Sequence, residues 1–312
     1  MRLRHLCSLA VLLGLGVSAA ASAGTSLLRF PDVCGSRIVF TYAGDLWTVP
    51  TTGGTAIRIT AGPGPERSAR FSPDCSTIAF TGEYGGEDQV YTIPAGGGEP
   101  TQLTYYPATG PLPERWGFDN QVYGWTPDGN NVLFHSWRDS RNESAPRLFT
   151  VAASGALPVP LPMPQSGVGR YSPDGSKMVY SPKSRDFRDW DRYVGGWAQD
   201  LFIYDFASKS AFNITNDPNT DRDPVWIGNA VYFLSDRGEH LNLYRYDTQT
   251  RTTTQLTHYK KRDARWASGD AAGQIVYELH GQLHLYDTRS NKDHALDITA
   301  PAALRPFVVA GL

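Results

Sequence analysis

Phe71-Ser72-Pro73-Asp74-Cys75, Trp125-Thr126-Pro127-Asp128-Gly129 and Tyr171-Ser172-Pro173-Asp174-Gly175 are three copies of one pattern: an aromatic ring, Ser or Thr, Pro, Asp and a small residue. Each precedes an apolar alternation, Ile78-Ala79-Phe80, Val132-Leu133-Phe134 and Met178-Val179-Tyr180. Pro fixes φ, Asp bonds its own backbone and Gly accepts positive φ, so the pattern predicts a tight turn between two strands. Degenerate copies are read at Phe30-Pro31-Asp32 before Ile38-Val39-Phe40, at Trp226-Ile227-Gly228-Asn229 before Val231-Tyr232-Phe233, and at Trp266-Ala267-Ser268-Gly269-Asp270 before Ile275-Val276-Tyr277.

A second signature follows each of the six copies: Leu46-Trp47-Thr48-Val49, Val90-Tyr91-Thr92-Ile93, Leu148-Phe149-Thr150-Val151, Leu201-Phe202-Ile203-Tyr204, Leu243-Tyr244-Arg245-Tyr246 and Leu283-His284-Leu285-Tyr286, at steps of 44, 58, 53, 42 and 40 residues. A third closes most units: Ile59-Thr60, Leu103-Thr104, Ile214-Thr215, Leu256-Thr257 and Ile298-Thr299. Gly53-Gly54, Gly96-Gly97-Gly98 and Ser154-Gly155 supply a later hairpin turn. Each unit therefore reads as four short antiparallel strands. One such sheet buries too little alone and must pack on its neighbours, and four strands every ~40–50 residues is the period of a propeller blade. The predicted fold is all-β: a six-bladed β-propeller of four-stranded antiparallel blades. An array of β-sandwiches is the alternative, and it does not require so steady a period. The first strand, near Leu28 to Phe30, already belongs to blade one. The ring is thus expected to close by packing, with each blade contiguous in sequence.

The composition agrees. The chain has 312 residues, 40% hydrophobic and 19% charged, with net charge −2, 8 Trp, 16 Tyr, 13 Phe, 31 Gly and 22 Pro. That is a globular composition rich in strand and turn formers. It lacks the basic excess of a nucleic-acid binder. Residues 1–23 read as a signal peptide: Arg2 and Arg4, an apolar run from Leu6 to Val17, then Ala21-Ser22-Ala23 as a cleavage pattern. A retained N-terminal anchor is the competing reading, but the run is short for a spanning helix. In a bacterial cell cleavage predicts export to the periplasm, with no membrane segment left. The propeller is assigned to 24–300, and 301–312 to a C-terminal tail or the start of a following domain. Cys34 and Cys75 remain after cleavage, in equivalent turns of adjacent blades. Export permits a disulfide between them, and two unpaired thiols are the alternative.

Insertions gather on one rim. Tyr105 to Gln121 forms a long crossover between blades two and three, Ser136 to Pro146 lengthens blade three, and Ser181 to Asp200 lengthens blade four. They carry Arg115, Trp116, Arg138, Arg141, Arg185, Arg188, Trp190, Arg192, Tyr193 and Trp197, a recognition composition on loops of a rigid scaffold. These ten are the candidate substrate- or partner-binding residues. The competing reading is a loop plug in which Asp139, Asp186, Asp189 and Asp191 neutralise the arginines.

Several blocks resemble the tricorn protease family: Leu28 to Asp32 with Gly44 to Pro50, Gly97 to Pro107, Asn120 to Gly129, Thr220 to Trp226, and Ser235 to Gly238. The resemblance spans essentially the whole mature chain and implies the family's N-terminal six-bladed propeller, with TolB-like and WD40-like blades. In that family, later domains carry the serine-protease machinery. The resemblance therefore implies a peptide-guiding, filtering or docking ring, and no catalytic residue carries over. The expected partners are peptides or the protease domains of the same system, and a homo-oligomer is compatible with the sequence.

The residues themselves show no recognised catalytic motif, and whether the chain is an enzyme stays open. There is no nucleophile elbow, zincin helix, P-loop or dinucleotide fingerprint, and no cofactor or metal is expected. Among His135, His240, His258, His280, His284 and His294, His284 occupies the aromatic position of a blade strand and reads as packing. Three functions stand at this point: the propeller of an exported tricorn-like protease, a stand-alone TolB-like periplasmic scaffold, and a propeller enzyme with its site in the channel.

Overall fold

A computed structural model describes residues 24–107, 117–140, 146–185, 187 and 192–301. The signal-peptide assignment and residues 302–312 of the tail lie outside the described residues. Six four-stranded antiparallel sheets follow one another in chain order, and no helix occurs among the described residues. The first strands of the six sheets are Arg29–Cys34, Glu66–Phe71, Gln121–Trp125, Val168–Tyr171, Asp221–Ile227 and Ala264–Gly269. Each packs against the first strands of its two neighbours, and the circle closes between Arg29–Cys34 and Ala264–Gly269. The chain is a six-bladed propeller whose first strands line the axis.

The Pro-Asp turns form as the residues dictate. The amide of residue five of the motif donates to the Ser or Thr carbonyl: Cys75 to Ser72, Gly129 to Thr126, Gly175 to Ser172. Asp74, Asp128 and Asp174 accept the amides of Ser76, Asn130 and Ser176 and the hydroxyls of Ser72, Thr126 and Ser172. These bonds hold the Asp74 and Asp174 carboxyls down at about 2.

The second and third signatures also find their cause. The aromatic of each third strand faces an aromatic of the second strand: Phe40 with Trp47, Phe80 with Tyr91, Phe134 with Phe149, Tyr180 with Phe202, Phe233 with Tyr244, and Tyr277 with His284. His284 stacks on Tyr277 at 5.8 Å and so takes the packing place that its position predicted. The closing threonines are hydroxyl staples. Thr60, Thr104, Thr215 and Thr257 accept the amides of Leu46, Val90, Leu201 and Leu243, the first residues of the second signature. In blade three Ser166 does the same for Leu148.

The cores sit between blades. Val39 and Leu46 of blade one pack with Phe71, Ile78 and Phe80 of blade two, and the seam of blades six and one buries Phe40, Trp47, Val276, Leu283 and Ile298. A repeated bond marks the seams: Glu66 N–H donates to Gly44, Asp221 to Gln199, Ala264 to Leu241 and, across the closing seam, Leu28 to Gly281.

Three sequence readings shift. Phe30-Pro31-Asp32 and Trp266 are not turn residues. Val33 pairs with Ile38 and Gly269 with Ile275, which places both stretches inside first strands, at bulges where Phe30 and Trp266 take positive φ. Ile298-Thr299 is not the staple of blade six, because Leu296 donates to Leu283 in that register. Instead Ile298–Thr299 pairs in parallel with Gly54–Thr55 of blade one, and Ala300 and Ile298 bond Thr25. The four-stranded blades are contiguous as expected, but closure is latched by backbone bonds and not by packing alone.

Candidate functional site

One layer of the axis is built from the first-strand residue that pairs with the middle of each second-strand apolar triplet. In register it contains Asp32, Arg70, Gly124, Arg170, Val225 and Ser268. In five of the six blades this residue directly follows a bulge of the first strand; blade four, which supplies Arg170, has none. Arg170 of blade four crosses to blade six, where its Nη2 donates to Ser268 Oγ at 3.1 Å. Ser268 Oγ donates to Asp32 Oδ1 of blade one, and Asp32 Oδ2 accepts the Phe71 amide of blade two at 2.7 Å. Gly124 makes room for the crossing: a Cβ there would lie 2.6 Å from Arg170 Nη1. Asp32 is 5% exposed and Arg70 7%, so the layer excludes water on that side. Burial pushes the Asp32 carboxyl up against the pull of Arg70 and Arg170. Burial, then the neighbouring Arg70 charge, pushes the Arg170 guanidinium down to about 9. The axis is thus spanned by a hydrogen-bonded charge cluster.

Above this layer, toward the insertion rim, aromatic rings meet over the mouth. Phe30 of blade one lies 4.5 Å from Trp266 of blade six, 5.8 Å from Phe187 of blade four and 6.4 Å from Phe118 of the crossover. Phe118 and Phe187 stand 4.8 Å apart. The Trp266 amide donates to Asp223 of blade five at 2.9 Å. The two aromatics that head the off-register copies are therefore the two that touch here. Buried His135 sits beneath the crossover, its ring nitrogens 2.8 Å from the Phe118 carbonyl and 2.6 Å from the Gly167 carbonyl of blade four.

Of the ten candidate binding residues, Arg115, Trp116, Arg141, Arg188 and Trp190 lie outside the described residues, as do Asp186, Asp189 and Asp191. The other five are not one cluster. Arg138 belongs to blade three: it bonds Asn120 Oδ1 and Ser136 Oγ, and its guanidinium lies over Phe149 at 5.1 Å and Tyr106 at 4.8 Å. Arg237 of blade five repeats that arrangement with Asp221, Ser235, Phe233 and Tyr244. Arg185 is 5% exposed beneath Trp197, 4.3 Å from its ring. Arg192 reaches blade five, donating to the Glu239 carbonyl and contacting His240 Nδ1. Trp197, 44% exposed, offers ring surface on the rim, and Tyr193 is half-buried beside the same loop. Among these, Arg138 and Arg185 are held by side chains and rings of the blades, Arg138 also near Asp119 and Asp139, whereas Arg192 and Trp197 are exposed.

The structure joins Cys34 and Cys75, with Cα atoms 5.7 Å apart, on the opposite rim. Among the described residues no group of three or more His, Cys, Asp or Glu is gathered to hold a metal ion, and no helix is long and apolar enough to cross a membrane.

The family description "Tricorn protease N-terminal beta propeller domain" matches residues 25–292. Tricorn protease homolog 1 of Streptomyces coelicolor is 29% identical over 270 residues, which cover 85% of this chain and 24% of that protein. The putative Tricorn-like protease C-terminal subunit of Sulfurisphaera tokodaii is 35% identical over 78 residues, 25% of this chain and 9% of that protein. The crystal structure of the tricorn protease superposes with a TM-score of 0.79 at 23% identity, covering 90% of this chain and 27% of that one. The chain spans about a quarter of the length of the first two full-length relatives, homolog 1 and the solved protease.

Proposed function

This chain belongs to the tricorn protease N-terminal β-propeller family, and from that premise we propose that it is the exported docking ring of a tricorn-like serine protease system, holding peptides or the protease domains against its insertion rim. The observation that carries docking over threading is the Arg170–Ser268–Asp32 crossing of the axis. A polypeptide passing through would have to break buried, charge-assisted bonds, and removing one partner of such a cluster costs about 3–5 kcal/mol. A relative named as a C-terminal subunit supports protease domains on a separate chain as the partner. Export is supported by the leader-like composition of residues 1–23 and by the Cys34–Cys75 bond, which suits an oxidising compartment.

The reading is tested with the purified chain and end-blocked neutral peptides of mixed apolar and aromatic composition. Arg188→Ala, Trp190→Ala and Trp197→Ala are combined, leaving buried Arg185 in place. The combined variant is expected to melt like the wild type and to bind peptide about tenfold more weakly, the loss of one desolvated aromatic contact or more. Unchanged affinity in the folded variant assigns the loops to structure and overturns rim docking. Peptide hydrolysis by the chain, lost on a substitution within 24–312, overturns the non-catalytic role. Amino-terminal sequencing of the exported protein is expected to begin at Gly24.

A further inference from the structure

The residue before the bulge in the first strand is an arginine in four of the six blades: Arg29, Arg67, Arg222 and Arg265. In blade two Arg67 is paired, to Asp88 at 3.0 Å and Glu83 at 3.4 Å, both from its own six-residue loop 83–88. In blade five Arg222 pairs with Asp223 at 3.3 Å. In blades one and six the corresponding loops are two-residue turns, Ala43-Gly44 and His280-Gly281, which carry no carboxylate. Beyond the strand ladder, the exposed side chains of Arg29 and Arg265 make no hydrogen bond or close ion pair among the described residues; the Glu278 carboxylate feels both charges, and Arg29 lies 6.0 Å above Trp266.

These two arginines line one cleft at the seam of blades six and one, together with Arg262, His280, Trp266 and Glu278. The cleft encloses about 470 Å³. The turns on its two sides are the two-residue ones of blades one and six. Its two carboxylates are already engaged: Asp263 accepts the Leu241 amide at 2.9 Å and faces His240, and the buried Glu278 accepts the Gly281 amide. Three guanidinium groups line the cleft with the Trp266 indole, and its two carboxylates, of which Glu278 faces the charges of Arg29 and Arg265, offset only part of theirs, so the site has more donors than acceptors.

We propose that this cleft binds an acidic polypeptide segment, whose side-chain carboxylates take the place that Glu83 and Asp88 fill for Arg67. Arginine forks pair carboxylates with two parallel N–H bonds, and three of them spaced over one cleft suit several side-chain carboxylates better than one terminal group. Trp266 supplies an apolar floor for the segment's backbone and methylenes. The site goes beyond rim docking at blades two to four, because it lies at the seam of blades six and one and discriminates by charge.

The test is fluorescence anisotropy of the full chain with an end-blocked, glutamate-rich peptide and its glutamine counterpart. The glutamate peptide is expected to bind about tenfold more tightly or better at low salt, and the preference is expected to shrink as ionic strength rises. Arg29→Gln, Arg262→Gln and Arg265→Gln combined are expected to abolish the preference. All three positions are exposed, and thermal melting checks that the variant folds. The Arg188, Trp190 and Trp197 variant is expected to keep the preference, which separates failure of this site from failure of rim docking. Equal binding of the two peptides, absence of binding at low salt, or an unchanged preference in the arginine variant overturns the proposal. So does equal competition by a neutral peptide bearing only a free terminal carboxylate.

Discussion

Cys75 holds the left-handed position, φ 61°, that Gly129 and Gly175 fill in the following blades. A side chain there strains the turn, and the bond to Cys34 of the neighbouring blade holds it. With the partners 41 positions apart in sequence, the bond is expected to contribute about 4 kcal/mol, mainly by restricting the unfolded chain. Reduction is expected to lower the thermal midpoint and to add two free thiols by mass spectrometry; thiols titratable without reduction would contradict it. Asp221 of blade five is fully buried beside Arg237, and burial pushes its carboxyl up to about 6. A carboxyl raised on folding stabilises the fold at acid pH and loses that contribution as pH climbs through its folded value. Asn120 fills the same place in blade three, bonding Arg138 at 2.7 Å. Asp221→Asn is therefore expected to fold. Relative to it, the wild type should lose about 3 kcal/mol between pH 4 and pH 7, read by chemical unfolding across that range. A wild type that gains relative stability over the window would reverse the sign. At this scale the sequence was half legible. Asp74, Asp128 and Asp174 read correctly as turn formers because their partners are local. Asp32 read the same way and is not one, since its partners Ser268 and Phe71 lie blades away. Arg70 and Arg170, each directly before a turn aromatic, were the available signal of a shared axial layer.

Strand signatures carried the elements, because every blade repeats the same local bonds. The Leu-Thr signature marks a hydroxyl that accepts the first buried amide of the third strand, so Thr104→Val is isosteric yet leaves the Val90 amide without its acceptor. A loss of about 1–3 kcal/mol is expected by chemical denaturation, and a neutral substitution would show that the hydroxyl is dispensable. The insertion residues were less legible. Composition marked Arg138 as a binding residue, yet Ser136-Trp137-Arg138 and Ser235-Asp236-Arg237 are one repeated element, and Arg237 sits in a blade without a long insertion. A residue recurring at the same blade position points to the fold, whereas Trp197 and Arg192 recur nowhere and reach solvent or another blade.

Six repeats made the ring legible, and the first-strand contacts close it. The latch of Ile298–Thr299 on Gly54–Thr55 was not legible, because two residues of parallel pairing leave no periodic trace. Nor was the crossed axis, which depends on side chains from blades one, four and six meeting at one height. These two features make the molecule a closed ring with a spanned channel, and the proposed docking at the insertion rim rests on that closure. The most direct measurement is hydrogen exchange of the chain saturated with a neutral peptide. Slowed amides are expected at residues 117–120 and 192–200 on the insertion rim, with unchanged exchange at the turns 72–77, 126–131 and 172–177. Protection that appears at those turns, or at both ends of the axis together, would place the peptide in or through the channel and contradict rim docking.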